Sequence, residues 1–169
     1  MAHPLVDQLR FTRGEWLRGL EGISAEDATR HLGPMNCISW NVAHLAWQEQ
    51  QCWLDRAQGV MVEPVLARDF CYGAPMFTPP LDVALGCWHA VVARSEEFLD
   101  TLTTELLQQD LPYNGDVSGQ SIGSAMRRVT YHYWYHIGEI QAIRQMLGHT
   151  DLPVYVGDIE ELAPYAPEP

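Results

Sequence analysis

Two histidines stand four positions apart in Tyr131-His132-Tyr133-Trp134-Tyr135-His136-Ile137-Gly138-Glu139-Ile140, and a third, His44, stands far upstream. If the later stretch is helical, both imidazoles leave one face about a turn apart and can grip one divalent ion. Taken alone, His-x-x-x-His is a weak signal, and a histidine on an apolar face is more often a core residue satisfied by hydrogen bonds. His44 strengthens it, because Trp40, Trp47 and Gln48 flank it at helical spacing and turn it inward as well. Neutral imidazole is the commonest metal donor, and three such ligands leave positions for water and substrate. Zinc, nickel, iron and copper all suit three imidazoles.

Other reactive groups gather around the pair. Glu139 follows His136 on the same face and has three possible roles: a fourth ligand, a hydrogen-bond partner for an imidazole, or a general base. The plainer alternative pairs it with Arg128 or Arg144 on the helix surface. Tyr135 and Tyr131 lie beside the histidine face, where a phenol can orient a substrate. Trp40 and Trp47 are candidate walls.

Two familiar motifs fail on context. Zinc proteases need His-Glu-x-x-His, and Tyr133 occupies the glutamate position. Gly119-Gln120-Ser121-Ile122-Gly123 has the spelling of a serine-hydrolase elbow, but that motif works only between a strand and a helix. Here Ser121 follows a loop and reads as a helix cap. His3 is expected in a loose terminus, His31 near a turn, and His149 just past the last helix; with His89 they are left out of the metal site.

The elements that must hold these groups are helical. Leu5, Leu9, Trp16, Leu17 and Leu20 mark a helix over 4–20, and Ser24 caps a short one that stops near Gly33-Pro34. A second long helix is predicted from Ser39 to Arg56, ending at Gly59. Residues 60–78 have no period and contain Pro64, Gly73 and Pro75, so they read as a long loop bordering the site. Thr78 is expected to cap a third helix opening at Pro79-Pro80, with Leu81, Leu85, Trp88, Val92, Leu99 and Leu102 on its buried face. Pro112–Gly119 is a break, and a fourth helix runs from Ser121 to about Leu147. Four long helices without a convincing strand predict an all-α antiparallel four-helix bundle over 1–150, followed by an extended tail over 151–169.

Composition narrows the function classes. The chain has 169 residues, 22 acidic against 10 basic, and a formal charge of -12. Nucleic-acid binding normally needs a basic face, so it is not expected. No apolar run approaches the roughly 18 residues that span a bilayer, and the first residues lack a signal peptide's pattern. The cytoplasm is the expected location. Every basic residue is arginine, which excludes lysine bases and lysine Schiff bases. Cys37, Cys52, Cys71 and Cys87 are widely spaced, which argues against a cysteine metal site and for reduced thiols.

Taken together, Ser39-x-x-x-x-His44-Leu45 and His132-x-x-x-His136-x-Gly138-Glu139-Ile140-x-x-x-Arg144-x-x-Leu147-Gly148 resemble the DinB/YfiT-like superfamily. The resemblance spans nearly the whole chain, including the order of helices. It implies a four-helix bundle, often a homodimer, with one divalent metal on His44, His132 and His136. Members include transferases and isomerases that use low-molecular-weight thiols. For this chain it implies a small-molecule substrate and a metal-dependent transferase or isomerase, with Glu139 and Tyr135 as candidate catalytic groups. A metal-dependent hydrolase, or a non-catalytic module binding metal or a small ligand, is the alternative. Many relatives have glutamine where this chain has Glu139, which leaves that residue's role open.

Overall fold

The computed structural model describes residues 2–167. Its described residues are mostly helical and form no strand; only isolated backbone bridges join Asp110 to Ser121 and Tyr113 to Asp116. The elements are α1 (Pro4–Leu20), α2 (Ala25–Thr29), α3 (Ile38–Glu49), a π-helical segment (Gln50–Arg56), α4 (Pro64–Asp69), α5 (Leu81–Leu99), α6 (Thr104–Leu107), α7 (Ile122–Met146) and α8 (Ile159–Leu162). The all-α expectation holds. Among the described residues, no helix is long and apolar enough to cross a membrane.

Two compact units emerge, Met1–Glu21 with Glu97–Pro169, and Gly22–Glu96. In the first, α1 packs on α7. Val6, Leu9, Trp16 and Leu20 form the buried stripe of α1, and Ile122, Met126, Val129, Tyr133, Ile140 and Ile143 that of α7. Trp16 meets Tyr133 edge-on at 5.8 Å between ring centroids, a favourable aromatic geometry. Arg144 is buried and donates to the Gly19 carbonyl at 2.6 Å and to His149 Nδ1 at 3.2 Å. Residues 153–157 are tied back to the helices. Gln141 donates to the Pro153 carbonyl, Arg18 to the Val154 carbonyl, and the Gly157 N–H to Glu15. The tail, expected to be extended, thus carries the one-turn α8 and several anchoring bonds.

Both ends of α7 follow their sequence signals. The Ser121 hydroxyl accepts from the Ser124 N–H at 3.1 Å, and Gly148 takes a positive φ of 82° just beyond the C-terminus. Ser121 is therefore a helix cap. α1 starts at Pro4, as expected, but the residue before it is not loose. His3 is buried, and its Nδ1 accepts from the Leu5 N–H at 3.2 Å, so the residue expected to be loose caps the helix. A ring nitrogen substitutes for the usual hydroxyl or carboxylate, and Pro4 supplies a preset first-turn φ.

In the second unit, Ile38–Ala46 of α3 is buried on every side, as a fully enclosed helix must be apolar or satisfied all round. The predicted helix to Arg56 forms, but from Gln50 onward it is π-helical, and Gly59 ends the turn with φ 67°. The 60–78 segment, read as a loop, contains α4. Pro64 looked like a breaker, yet it occupies the helix's first turn, where its missing N–H is harmless. The cap of α5 falls two residues later than expected. The Pro80 carbonyl accepts from the Ala84 N–H, while the Thr78 hydroxyl meets His31 Nε2 at 2.7 Å.

Candidate metal centre

His44 lies in the middle of α3 and is buried. Trp40, one turn before it, stacks on the imidazole at 4.6 Å with 14° between planes, and Trp47 stacks at 5.2 Å and 29°. The two indoles act as walls that set the plane of the ring. Its remaining rotation is set by Nδ1, which donates to the Phe70 carbonyl at 2.7 Å. A neutral imidazole has one donor nitrogen and one acceptor, so the acceptor nitrogen of His44 is Nε2.

Phe70 is available for this bond because α4 ends there. The near end of the same segment is held by Gln50, which is buried. Its side-chain oxygen accepts from the N–H groups of Val62 at 3.0 Å and Glu63 at 2.7 Å, and its amide donates to the Glu63 carbonyl at 2.9 Å. The stretch from Val62 to Phe70 is thus pinned at both ends by the side chains of Gln50 and His44. Sequence reasoning missed both roles, because a main-chain acceptor carries no residue signature.

His132 and His136 leave α7 one turn apart, as their spacing requires. Their Nε2 atoms are 3.0 Å apart. Two imidazoles sharing one ion with bonds of roughly 2.0–2.1 Å bring their nitrogens to roughly 3.0–3.4 Å, so the pair is already near ligating separation. His136 is buried, and its Nδ1 meets Glu139 Oε2 at 2.7 Å. Glu139 therefore engages an imidazole. Arg144, one of the arginines considered for it, is bonded to Gly19 and His149, and Arg128 is exposed. Tyr135 is exposed, with its ring nearly parallel to His132 at 6.4 Å and edge-on to His136 at 5.0 Å. Tyr131 is exposed too.

One donor atom from each of His44, His132 and His136 lies within 4.8 Å of the other two. Hydrogen-bonded Nδ1 atoms on two of the three rings direct Nε2 outward, the usual arrangement for metal-ligating histidines. The donor set fits a divalent ion that accepts imidazole.

The other histidines serve elsewhere. His31 bonds the Met35 carbonyl and Thr78, His149 accepts from Arg144, and the exposed His89 meets Trp88 edge-on. None of the four cysteines is in a disulfide. Burial, with the Glu63 carboxylate adding to it, pushes the Cys87 thiol above its ordinary range, away from a reactive thiolate.

A family model for the DinB superfamily matches residues 4–140. The chain belongs to the DinB superfamily. The match covers α1 through most of α7 and includes all three histidines of this DinB-superfamily chain, as the resemblance of their motifs implied. No curated protein matches it.

Proposed function

We propose that this protein is a metal-dependent enzyme whose divalent ion is held by His44, His132 and His136. The observation that carries the reading is the convergence of the three imidazole donors, two of them with Nδ1 already bonded. The long helices α1, α3, α5 and α7 are proposed as the antiparallel four-helix bundle of a 1–150 domain, with 151–169 as its tail. The protein is further proposed to be a cytoplasmic homodimer acting on a small molecule.

Within the superfamily's chemistry, the favoured reaction is transfer or isomerisation assisted by a low-molecular-weight thiol. A bound divalent ion would supply Lewis acidity, favouring the ionised form of a thiol or water and polarising a carbonyl. The chain's own contributions are distinct. Trp40, Trp47 and the Phe70 carbonyl hold His44 in place, and Glu139 holds the proton of His136 at Nδ1. Tyr135 offers an exposed phenol beside both α7 histidines to orient a substrate.

Elemental analysis of purified protein, repeated on alanine variants of each histidine, tests the reading. About one equivalent of metal is expected in the wild type, with a large loss in each variant. Less than about a tenth of an equivalent, with no uptake on titration, overturns it. Turnover of electrophiles with thiols, lost with the metal in His136→Ala, supports the enzyme. Bound metal without turnover of thiol acceptors, esters or amides supports a binding module instead.

A further inference from the structure

We infer that the face where the start of α1 meets α7 carries a second ligand site, built around Arg127 and suited to a small organic carboxylate with an apolar body. Its residues all belong to one compact unit, Met1–Glu21 with Glu97–Pro169. None of them is a proposed metal ligand, so the inference stands apart from the metal-site reading.

Arg127 and Arg128 are the one adjacent basic pair in the sequence, and both are exposed on α7. Arg10, Arg18, Arg30 and Arg68 each pair with a carboxylate. Among the described residues Arg127 has no such partner and no side-chain hydrogen bond. Beside it lies a cavity of about 400 Å³, within the roughly 300–1,000 Å³ usual for small-molecule sites. A second cavity, of about 310 Å³, shares Arg127 and Leu5 with the first and opens on Gly123 and Ser124 in the first turn of α7. The partial positive charge of that helix end adds to the guanidinium. No residue lining either cavity is acidic, although the chain carries 22 acidic residues and a formal charge of -12. An unpaired guanidinium that lines two concavities free of carboxylates favours an anion.

The walls narrow the class of anion. A planar guanidinium matches a carboxylate through two parallel N–H···O bonds. The Gln8 side-chain amide, which has no partner among the described residues, offers a further donor. The Thr130 hydroxyl does not, because it donates to the Met126 carbonyl at 3.0 Å. Pro4, Leu5 and Ala166 give the first cavity an apolar wall, and the phenol rings of Tyr131 and Tyr165 stand at its exposed rim. Such a wall rewards a ring or short hydrocarbon chain carried by the anion. Inorganic phosphate has neither.

Titration of the nitrogen-15-labelled full chain with sodium benzoate at constant ionic strength, followed by amide NMR, tests the site. Saturable shifts are expected at Leu5, Gln8, Arg127 and Tyr131, with a Kd on the order of 1–10 mM for so small a probe. Arg127→Gln should weaken binding about tenfold or more. Gln8→Glu, which sets a carboxylate in the cavity, should weaken it as well. Both positions are exposed, so neither variant threatens the fold. Arg128→Gln controls for neighbouring charge and should bind like the wild type. Benzamide, the neutral isostere, and inorganic phosphate should both bind more weakly than benzoate. No saturation by benzoate, equal binding of benzamide, or an equal loss in Arg128→Gln overturns the site. Phosphate binding as tightly as benzoate overturns the ligand class. Repeating the titration after chelation separates the two sites. Unchanged shifts support the Arg127 site whatever the fate of the metal-site reading, whereas shifts that vanish, or that centre on His132 and His136, assign the carboxylate to a metal and overturn the inference.

Discussion

Replacing Glu15 with glutamine tests how the C-terminal segment is tied to α1. The Glu15 side chain is only 6% exposed, and its carboxylate accepts from Arg18 Nε at 2.9 Å, Arg18 Nη2 at 2.5 Å and the Gly157 N–H at 2.8 Å. Glutamine keeps one accepting oxygen and puts an NH2 group against a donor. Losing one charge-assisted bond costs about 1.5–3 kcal/mol. Arg18 is 32% exposed, so water recovers part of this, and about 2 kcal/mol is expected. For a chain of this length that lowers Tm by about 4–8 °C.

The pH dependence gives a second reading. The Arg18 hydrogen bond, opposed by burial and reinforced by the Gly157 N–H and the Arg18 charge, holds the Glu15 carboxyl below its ordinary value of 4.5. A lowered carboxyl pKa stabilises the fold above that ordinary value, and the contribution fades as pH falls through the lower folded value. The difference in Tm between wild type and Glu15→Gln should therefore be full at neutral pH and shrink on acidification below 4.5. Circular dichroism melts across that range measure it. No difference at neutral pH, or the same difference at every pH, refutes the reasoning.

Gln50→Ala removes three bonds to the 62–63 backbone and strands the Val62 and Glu63 N–H groups. A loss of about 2–3 kcal/mol is expected, with faster proteolysis inside 60–78; unchanged melting and cleavage would contradict the clamp. Ser121→Ala removes the α7 cap and should cost about 1 kcal/mol in denaturant unfolding. Any esterase activity should be unaffected, since loss of turnover without loss of stability would make Ser121 a nucleophile.

Much of the fold and the histidine geometry was legible because both rest on local periodicity. The four-residue step from His132 to His136 translates directly into neighbouring imidazoles, and Ser121 and Gly148 mark the ends of α7. The errors share a different origin. Pro64 was read as a breaker although proline is at home in a first turn, so α4 was missed. His3 lies near a terminus, where capping by an imidazole has no common signature. For Glu139 the spacing left an imidazole and two arginines open as partners, and the placement of the side chains selects His136. The Phe70 carbonyl and the bonds holding residues 153–157 depend on where distant main chain arrives, which no side-chain pattern encodes.

The π-helical stretch after α3 also affects chain length. Hydrogen bonding to the fifth rather than the fourth residue stores about one surplus residue in the turns between Gln50 and Arg56. Removing one exposed residue there, such as Asp55, lets the segment tighten into ordinary α-helix while Gly59 keeps its place. The same deletion within α3 would rotate His44 and everything after it by about a quarter turn. Natural length variation of one residue should therefore collect in this stretch, and a relative shorter by one residue there should run its helix through without the wide turns.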